Sequence, residues 1–173
     1  AGTVDLLHTA AFSPDSRQLL VLEDDQTAKL YPVQPGEKTV EMKEPKGTIV
    51  DAAFLPGNDG LMLLCAGPDG VVNRVRIFDR QGRKRFDGPL PFSGDLFNTA
   101  VPGLGGKQLL LTATDSTAGI WDLASKKYIA LGLCRERHTD YISKAIFAPG
   151  ERLIASGSTD KTARLWQNGR LAL

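Results

Sequence analysis

Three residue types that act together in hydrolysis occur close to one another in the last third of the chain. His138 is followed by Ser156, Ser158 and Asp160. A serine nucleophile, a histidine base and an aspartate that orients the base form the triad of many hydrolases. Whether these side chains could meet, and for what purpose, depends on the elements that hold them.

The stretch LIASGSTDKTARLWQ, from Leu153 to Gln167, predicts one β-hairpin. Leu-Ile-Ala is typical of a buried strand, the Gly, Ser, Thr and Asp that follow predict a tight turn, and Ala-Arg-Leu-Trp predicts the returning strand. Asp160 then lies in the turn, where its carboxylate can accept hydrogen bonds from backbone N–H groups.

This hairpin recurs along the chain. A turn aspartate precedes an aromatic residue by six positions in three copies and by nine in a looser one; the aspartates are Asp25, Asp69, Asp115 and Asp160. The aromatic markers are Tyr31, Phe78, Trp121 and Trp166, at spacings of 47, 43 and 45 residues. The prolines of an upstream motif are Pro14, Pro56, Pro102 and Pro149, at spacings of 42, 46 and 47. Both markers agree on four units, and a period of this length indicates a repeat architecture.

Each unit resembles a WD40 repeat, the four-stranded blade of a β-propeller. The segment from Arg137 to Gln167 is closest to the family pattern, and Ile120–Asp122 is the only complete Trp-Asp signature. The resemblance implies an all-β fold, a β-propeller of four-stranded antiparallel blades that is part of a larger seven- or eight-bladed ring. The four blades are expected at about residues 3–42, 47–88, 93–133 and 138–173.

The second strand of each unit is apolar on both faces, as in QLLVL, LMLLCA, QLLLTA and RLIAS. A strand with one solvated face would alternate, so this pattern predicts sheets packed face to face, in sequence order. The two end blades would then each expose an apolar face. We expect further WD40 blades, from segments outside this chain or from a second copy of it, to complete the ring.

The resemblance also implies a role for the Ser, His and Asp residues. His138, Asp160, Trp166 and a serine of the second strand, Ser156 or Ser158, match the family's structural tetrad, which holds a blade rigid and does no catalysis. The first three units have Thr3, Pro45 and Pro91 at the place of the histidine, so packing is expected to hold those blades. We therefore expect no catalytic residue and no enzymatic activity.

Other features exclude several kinds of site. The formal charge of +1 gives no case for bulk nucleic-acid binding, and two histidines with two scattered cysteines show no zinc spacing. The segment GLGGK lacks the spacing of a phosphate loop, so no cofactor is expected. Cys65 and Cys134 form no disulfide framework, and no segment is apolar enough to span a bilayer. A cytoplasmic location is expected, with no membrane partner.

A basic cluster surrounds the predicted turn of the second unit. Arg80, Arg83, Lys84 and Arg85 are its candidate anion-contacting residues. One interpretation is a solvated outer hairpin that discourages edge pairing. The other is a contact with an acidic peptide, a phosphate group or nucleic acid.

The family resemblance implies a non-enzymatic platform for protein–protein contact, with loops of one rim as the binding surface. The candidate rim residues are Asp5, Leu6, Glu23, Asp24, Thr48, Pro68, Asp140, Tyr141, Thr159 and Lys161. Tyr141 is the best anchor candidate, although ordinary packing within the blade would also explain it. The alternative function is a ligand-sensing or autoinhibitory repeat domain of a larger multidomain signalling protein, such as a nucleotide-binding effector.

Overall fold

The protein is an all-β structure, as the sequence predicts. A computed structural model describes residues 10–44, 46–91, 97–103, 106–113, 115–132 and 136–172. Within these residues, sixteen strands form four sheets of four antiparallel strands, and each sheet is a simple meander. The rim candidates Asp5 and Leu6 lie outside the described residues, as do His8 and Cys134.

The sheets follow one another along the chain. The first contains β1 (Ala10–Phe12), β2 (Gln18–Asp24), β3 (Thr27–Pro32) and β4 (Val40–Lys43). The second contains β5 (Thr48–Phe54), β6 (Leu61–Ala66), β7 (Val72–Phe78) and β8 (Lys84–Pro89). The third contains β9 (Phe97–Pro102), β10 (Gln108–Ala113), β11 (Ala118–Asp122) and β12 (Tyr128–Ala130). The fourth contains β13 (Ile142–Phe147), β14 (Ile154–Ser158), β15 (Ala163–Gln167) and β16 (Arg170–Leu171). A short 3₁₀ turn, Pro56–Asn58, follows β5.

The aromatic markers occupy one equivalent register position in the four sheets. Each pairs directly with the first apolar residue of the second strand, in the pairs Leu19–Tyr31, Leu61–Phe78, Leu109–Trp121 and Ile154–Trp166. Since side chains alternate across a strand, this register places the marker on the same face of every sheet. We call this the aromatic face and the other the opposite face.

The sheets stack in sequence order through these faces. The aromatic face of the second sheet, with Leu61, Leu63 and Phe78, packs on Leu20 and Leu30 of the opposite face of the first. The same arrangement joins the second sheet to the third and the third to the fourth. Hence β6 is buried along its whole length, on both faces, as its sequence predicts.

An aromatic contact fills the junction between the second and third sheets. The rings of Phe86 and Trp121 meet edge to face, with centroids 6.3 Å apart. The ammonium group of Lys126 lies 4.1 Å from the Phe86 centroid and 5.3 Å from that of Trp121. A cation over aromatic faces adds attraction to the apolar contact.

The two outermost faces of the stack remain accessible. On the aromatic face of the first sheet, Phe12 is 65% exposed, and on the opposite face of the fourth sheet, Ile146 is 47% exposed. Accordingly, β2 and β14 alternate between buried and half-buried residues, unlike β6. The four sheets therefore leave one apolar face open at each end of the stack.

We predict that the 173-residue chain associates with itself through these faces. Exposed apolar sheet faces favour association because contact removes their surface from water. Phe12→Glu should shift the population towards monomer, whereas Val33→Glu, a change at an exposed valine outside the sheets, should not. Sedimentation velocity over a concentration series measures this. A monomer at every concentration with one cooperative unfolding transition would contradict it.

Candidate interaction rim and its bracing network

The candidate contact residues that are described all lie at one rim of the stack. This rim, the connection rim, is formed by the turns between second and third strands and by the connections between sheets. Six of its candidates are exposed: Glu23, Asp24, Pro68, Asp140, Thr159 and Lys161. Thr48 and Tyr141 are partly buried. The sequence-predicted set therefore forms one surface band, with Tyr141 less exposed than a free anchor would be.

A buried hydrogen-bond network supports this rim in the fourth sheet. His138 Nδ1 lies 2.8 Å from Asp160 Oδ2, and Nε2 lies 2.8 Å from Ser156 Oγ. Trp166 Nε1 donates to the same serine oxygen at 2.7 Å. One direction of donation satisfies every group: Trp166 to Ser156, Ser156 to Nε2 of His138, and Nδ1–H of His138 to the carboxylate.

Ser156, and not Ser158, is the serine of this network. Ser156 is 3% exposed. Ser158 lies nearer the rim, where its hydroxyl donates to the backbone oxygen of Asp140 at 2.9 Å and accepts the N–H of Asp160 at 3.1 Å. Ser158 therefore joins the connection before β13 to the turn after β14.

The Asp160 carboxylate accepts hydrogen bonds from both the β12–β13 connection and the β14–β15 turn. Besides His138, it accepts the N–H of Thr139 at 3.1 Å and both the N–H and the hydroxyl of Thr162, at 2.9 and 2.6 Å. Burial by itself would raise the pKa of Asp160, but the hydrogen bonds from Thr162, His138 and Thr139 outweigh it and hold the pKa below its usual range. The carboxylate thus fastens the β12–β13 connection to the β14–β15 turn.

Comparison with known proteins agrees with this geometry. The family model "WD domain, G-beta repeat" matches residues 133–167, the segment that holds the network. A guanine nucleotide-binding protein subunit beta from Nicotiana tabacum is 25% identical over 96% of this chain and 46% of its own length. The protein transport protein sec13 of Aspergillus oryzae is 26% identical over 91% of this chain and 59% of its own.

Residues 133–167 of this chain thus match a WD40 repeat, and nearly the whole chain is similar to these two proteins. A further relative is the Xenopus laevis tRNA (guanine-N(7)-)-methyltransferase non-catalytic subunit wdr4, 24% identical over 94% of this chain and 40% of its own length. The chain spans about half the length of these relatives. Its four sheets have the arrangement of WD40 blades.

The WD40 network resembles a hydrolytic triad in its distances but is closed to substrate. The side chain of His138 is fully buried and that of Asp160 is 5% exposed. Trp166 occupies one side of the Ser156 oxygen, so a substrate carbonyl could not reach it without displacing the indole. Within the described residues, no group of three or more His, Cys, Asp or Glu side chains could hold a metal ion, and no helix is long and apolar enough to cross a membrane.

Arg164 is a member of the network that the sequence analysis missed. Its Nη1 donates to the backbone oxygens of Glu136 and Arg137, the latter at 2.7 Å, and its Nη2 lies 4.0 Å from Asp160 Oδ2. The guanidinium therefore holds the connection before β13 against the third strand.

The equivalent position in other blades also carries a cation. It stands two residues before the marker aromatic: Lys29 precedes Tyr31, and Arg76 precedes Phe78. Lys29 pairs with Glu23 at 2.6 Å, and Arg76 pairs with the buried Glu44. In the third blade the position is Gly119, and the ring of Tyr128 covers it so closely that a Cβ would lie 2.2 Å from Cζ. The recurrence of a cation two residues before the marker aromatic could have been found from the sequence.

Not every side chain in the basic cluster of the second blade is exposed to solvent. Arg80 is held by the first blade, with Nη1 2.7 Å from Asp15 Oδ2 and Nε donating to Gln18 at 2.8 Å. Lys84 pairs with Asp87 at 2.7 Å. Only Arg83, Lys84 and Arg85 of the cluster are exposed. Arg80 therefore joins two blades, and the three other members of the cluster lie at the surface.

Asp87 is the shared anion of a cationic network in the second blade. It accepts from Arg74 at 2.5 Å and from Lys84 at 2.7 Å, and Arg76 Nε lies 3.3 Å away. Burial raises the pKa of this carboxyl, but hydrogen bonds from Lys84 and Arg74 outweigh that effect and lower it from the usual 3.8 to about 2.

Ser156→Ala should destabilise the protein more than Ser158→Ala. Loss of the Ser156 hydroxyl leaves two buried groups, the Trp166 N–H and His138 Nε2, without a partner, at a cost of about 1–3 kcal/mol in the free energy of unfolding. The bonds of Ser158 lie at the solvent-exposed rim, where water can replace them. Chemical denaturation followed by tryptophan fluorescence compares the two; equal losses would contradict the assignment.

Asp87 should make the stability of the protein depend on acid pH. Because its pKa is lower in the folded state, its ionised form stabilises the fold above pH 3.8, and this contribution is lost as the pH falls towards about 2. Asp87→Asn should therefore reduce the loss of unfolding free energy between about pH 6 and about pH 2.5. Urea titrations at several pH values measure this, with Glu37→Gln, on an exposed turn, as the control. An unchanged pH dependence in Asp87→Asn would disprove it.

Proposed function

We propose that this chain is a non-enzymatic WD40 propeller segment that binds protein partners through its connection rim. The observation that carries the proposal is the bracing of the rim. In the fourth blade, Asp160, Ser158 and Arg164 tie the loop before β13 to the turn after β14, so that exposed residues stand on a fixed support. Recognition surfaces of this kind consist of loops that a rigid scaffold positions.

The burial of the Ser156–His138–Asp160 chain supports the non-enzymatic part of the proposal. A nucleophile must reach its substrate, and here the serine oxygen is enclosed by its own hydrogen-bond partners. The relatives support the interaction part, because their names describe a guanine nucleotide-binding protein subunit, a transport protein and a non-catalytic subunit.

We further propose that the four units, at about residues 3–42, 47–88, 93–133 and 138–173, are blades of one larger ring. The support is the pair of open apolar faces at Phe12 and Ile146. Each has an equivalent face inside the stack that a neighbouring blade covers. A further blade at each end would cover both. A cytoplasmic location stays a prediction.

The rim can be tested with paired charge variants of the fourth blade. Thr159→Arg with Lys161→Glu changes the exposed turn of the connection rim, and Gln167→Arg with Arg152→Glu makes the same kind of change at the other rim. Affinity capture by each protein, quantified by mass spectrometry against wild type, should show partners lost from the first variant and retained by the second. Capture that is equal for all three, or lost only from the second, would overturn the proposal.

A further inference from the structure

A pocket opens at the connection rim where the first two blades meet. It encloses about 370 Å³ between the connection from β4 to β5 and the end of β6 with its turn. Glu44, Lys46, Cys65, Pro68, Arg74 and Arg76 line it. The two walls are held close at Gly47, where a Cβ would lie 2.0 Å from the backbone oxygen of Ala66.

The pocket lies at the connection that corresponds, by repeat spacing, to the one that carries His138 in the fourth unit. Glu44 and Lys46 of this connection line the pocket. In the fourth blade the imidazole of His138 joins the connection to the hairpin through its bonds to Ser156 and Asp160. The second blade has no histidine at the matching sequence position.

The pocket wall has an excess of positive charge. Arg76 is paired with Glu44, whose side chain is only 6% exposed, so these two charges compensate each other. Asp87 behind them is shared by Arg74, Lys84 and Arg76. Lys46 stands exposed at the mouth. Among the residues that line the pocket, three cations, Lys46, Arg74 and Arg76, therefore accompany one carboxylate, Glu44, and the surplus favours an anion.

Arg74 is the cation best placed to receive that anion. Its side chain is 44% exposed, and its one hydrogen bond among the described residues runs from Nη1 to Asp87. A guanidinium carries five N–H donors in a planar fork that matches carboxylate and phosphate oxygens. Asp87 thus orients the group while most of its donors stay available.

The floor of the pocket adds no competing charge. The Cys65 thiol is 1% exposed, and burial together with the nearby Glu44 carboxylate raises its pKa to about 12. Cys65 is therefore a neutral thiol at physiological pH and no nucleophile. The site is built for binding and not for covalent chemistry.

We propose that this pocket binds one anionic group, a carboxylate or a phosphate, on an acidic peptide segment of a protein partner, with Arg74 and Lys46 as its contacts. The proposal rests on the proposed function of the connection rim and names the chemistry of one subsite there. A recess of about 370 Å³ that opens at the rim suits a single head group. A polynucleotide backbone would need cations spaced along an open surface, and here they converge.

Fluorescence anisotropy with defined probes tests the proposal. The probes are a labelled tetraglutamate peptide and a labelled peptide with one phosphoserine, each in the presence or absence of an oligothymidylate competitor. Arg74→Gln should weaken binding of the preferred peptide by about tenfold or more, as expected for loss of a charge-assisted fork. Lys46→Gln should weaken it less, and Arg17→Gln, at an exposed arginine of the first blade outside the pocket, should leave it unchanged. The tighter of the two peptides identifies the anion.

Three results would overturn the proposal: no binding of either peptide, equal binding by Arg74→Gln and Arg17→Gln, or tighter binding of the oligothymidylate through Arg74. Thermal unfolding shows whether Arg74→Gln is folded. If it is not, the affinity of Lys46→Gln, at the exposed mouth of the pocket, is compared with that of Arg17→Gln, and equal affinities would overturn the proposal. Failure of the pocket proposal can be distinguished from failure of the proposed function of the connection rim. Partner capture that still depends on Thr159 and Lys161 would leave the proposed function standing while removing the pocket from it.

Discussion

Face-to-face packing between successive sheets is the constraint on which this molecule depends. Strand β6, with every residue from Leu61 to Ala66 buried, has no solvent side and could not exist in an isolated sheet. It requires the opposite face of the first blade on one side and the aromatic face of the third on the other. Because every junction uses the same two faces, the sheets stack in one direction along the chain.

Packing alone does not hold that rim. Turns and connections carry polar backbone groups that need hydrogen-bond partners, and apolar side chains offer none. The fourth blade supplies partners through Asp160 and Arg164, and a cation at the matching strand position supplies an ion pair in the first two. In the third, Tyr128 covers Gly119 instead. The blades therefore support the rim through different contacts: hydrogen bonds in the fourth blade, ion pairs in the first two and an aromatic ring in the third. The charge of the rim differs accordingly from blade to blade.

The sequence predicted what repeats and missed what depends on distant partners. The spacing of Tyr31, Phe78, Trp121 and Trp166 was enough to predict the hairpins, and their register in the structure follows it. Ser156 and Ser158 could not be told apart, since they share a face and differ only in depth beneath the rim. The contact of Arg80 could not be predicted, because its partner Asp15 is 65 residues away, in another blade. The local sequence pattern therefore predicts the strands and the faces of the sheets, whereas the pairing of charged side chains depends on how the sheets stack.

Departures from the repeat pattern are informative for the same reason. In the fourth blade, the ring of His138 joins the connection to the hairpin through its bonds to Ser156 and Asp160. In the second blade, Glu44 and Lys46 of the matching connection border a cavity, where Arg76 pairs with Glu44 and Asp87 lies behind them. The fourth blade thus has a hydrogen-bond network at a place in the repeat where the second blade has a recess. Because both features lie at the connection rim, a partner that spans the third blade at this rim could contact both.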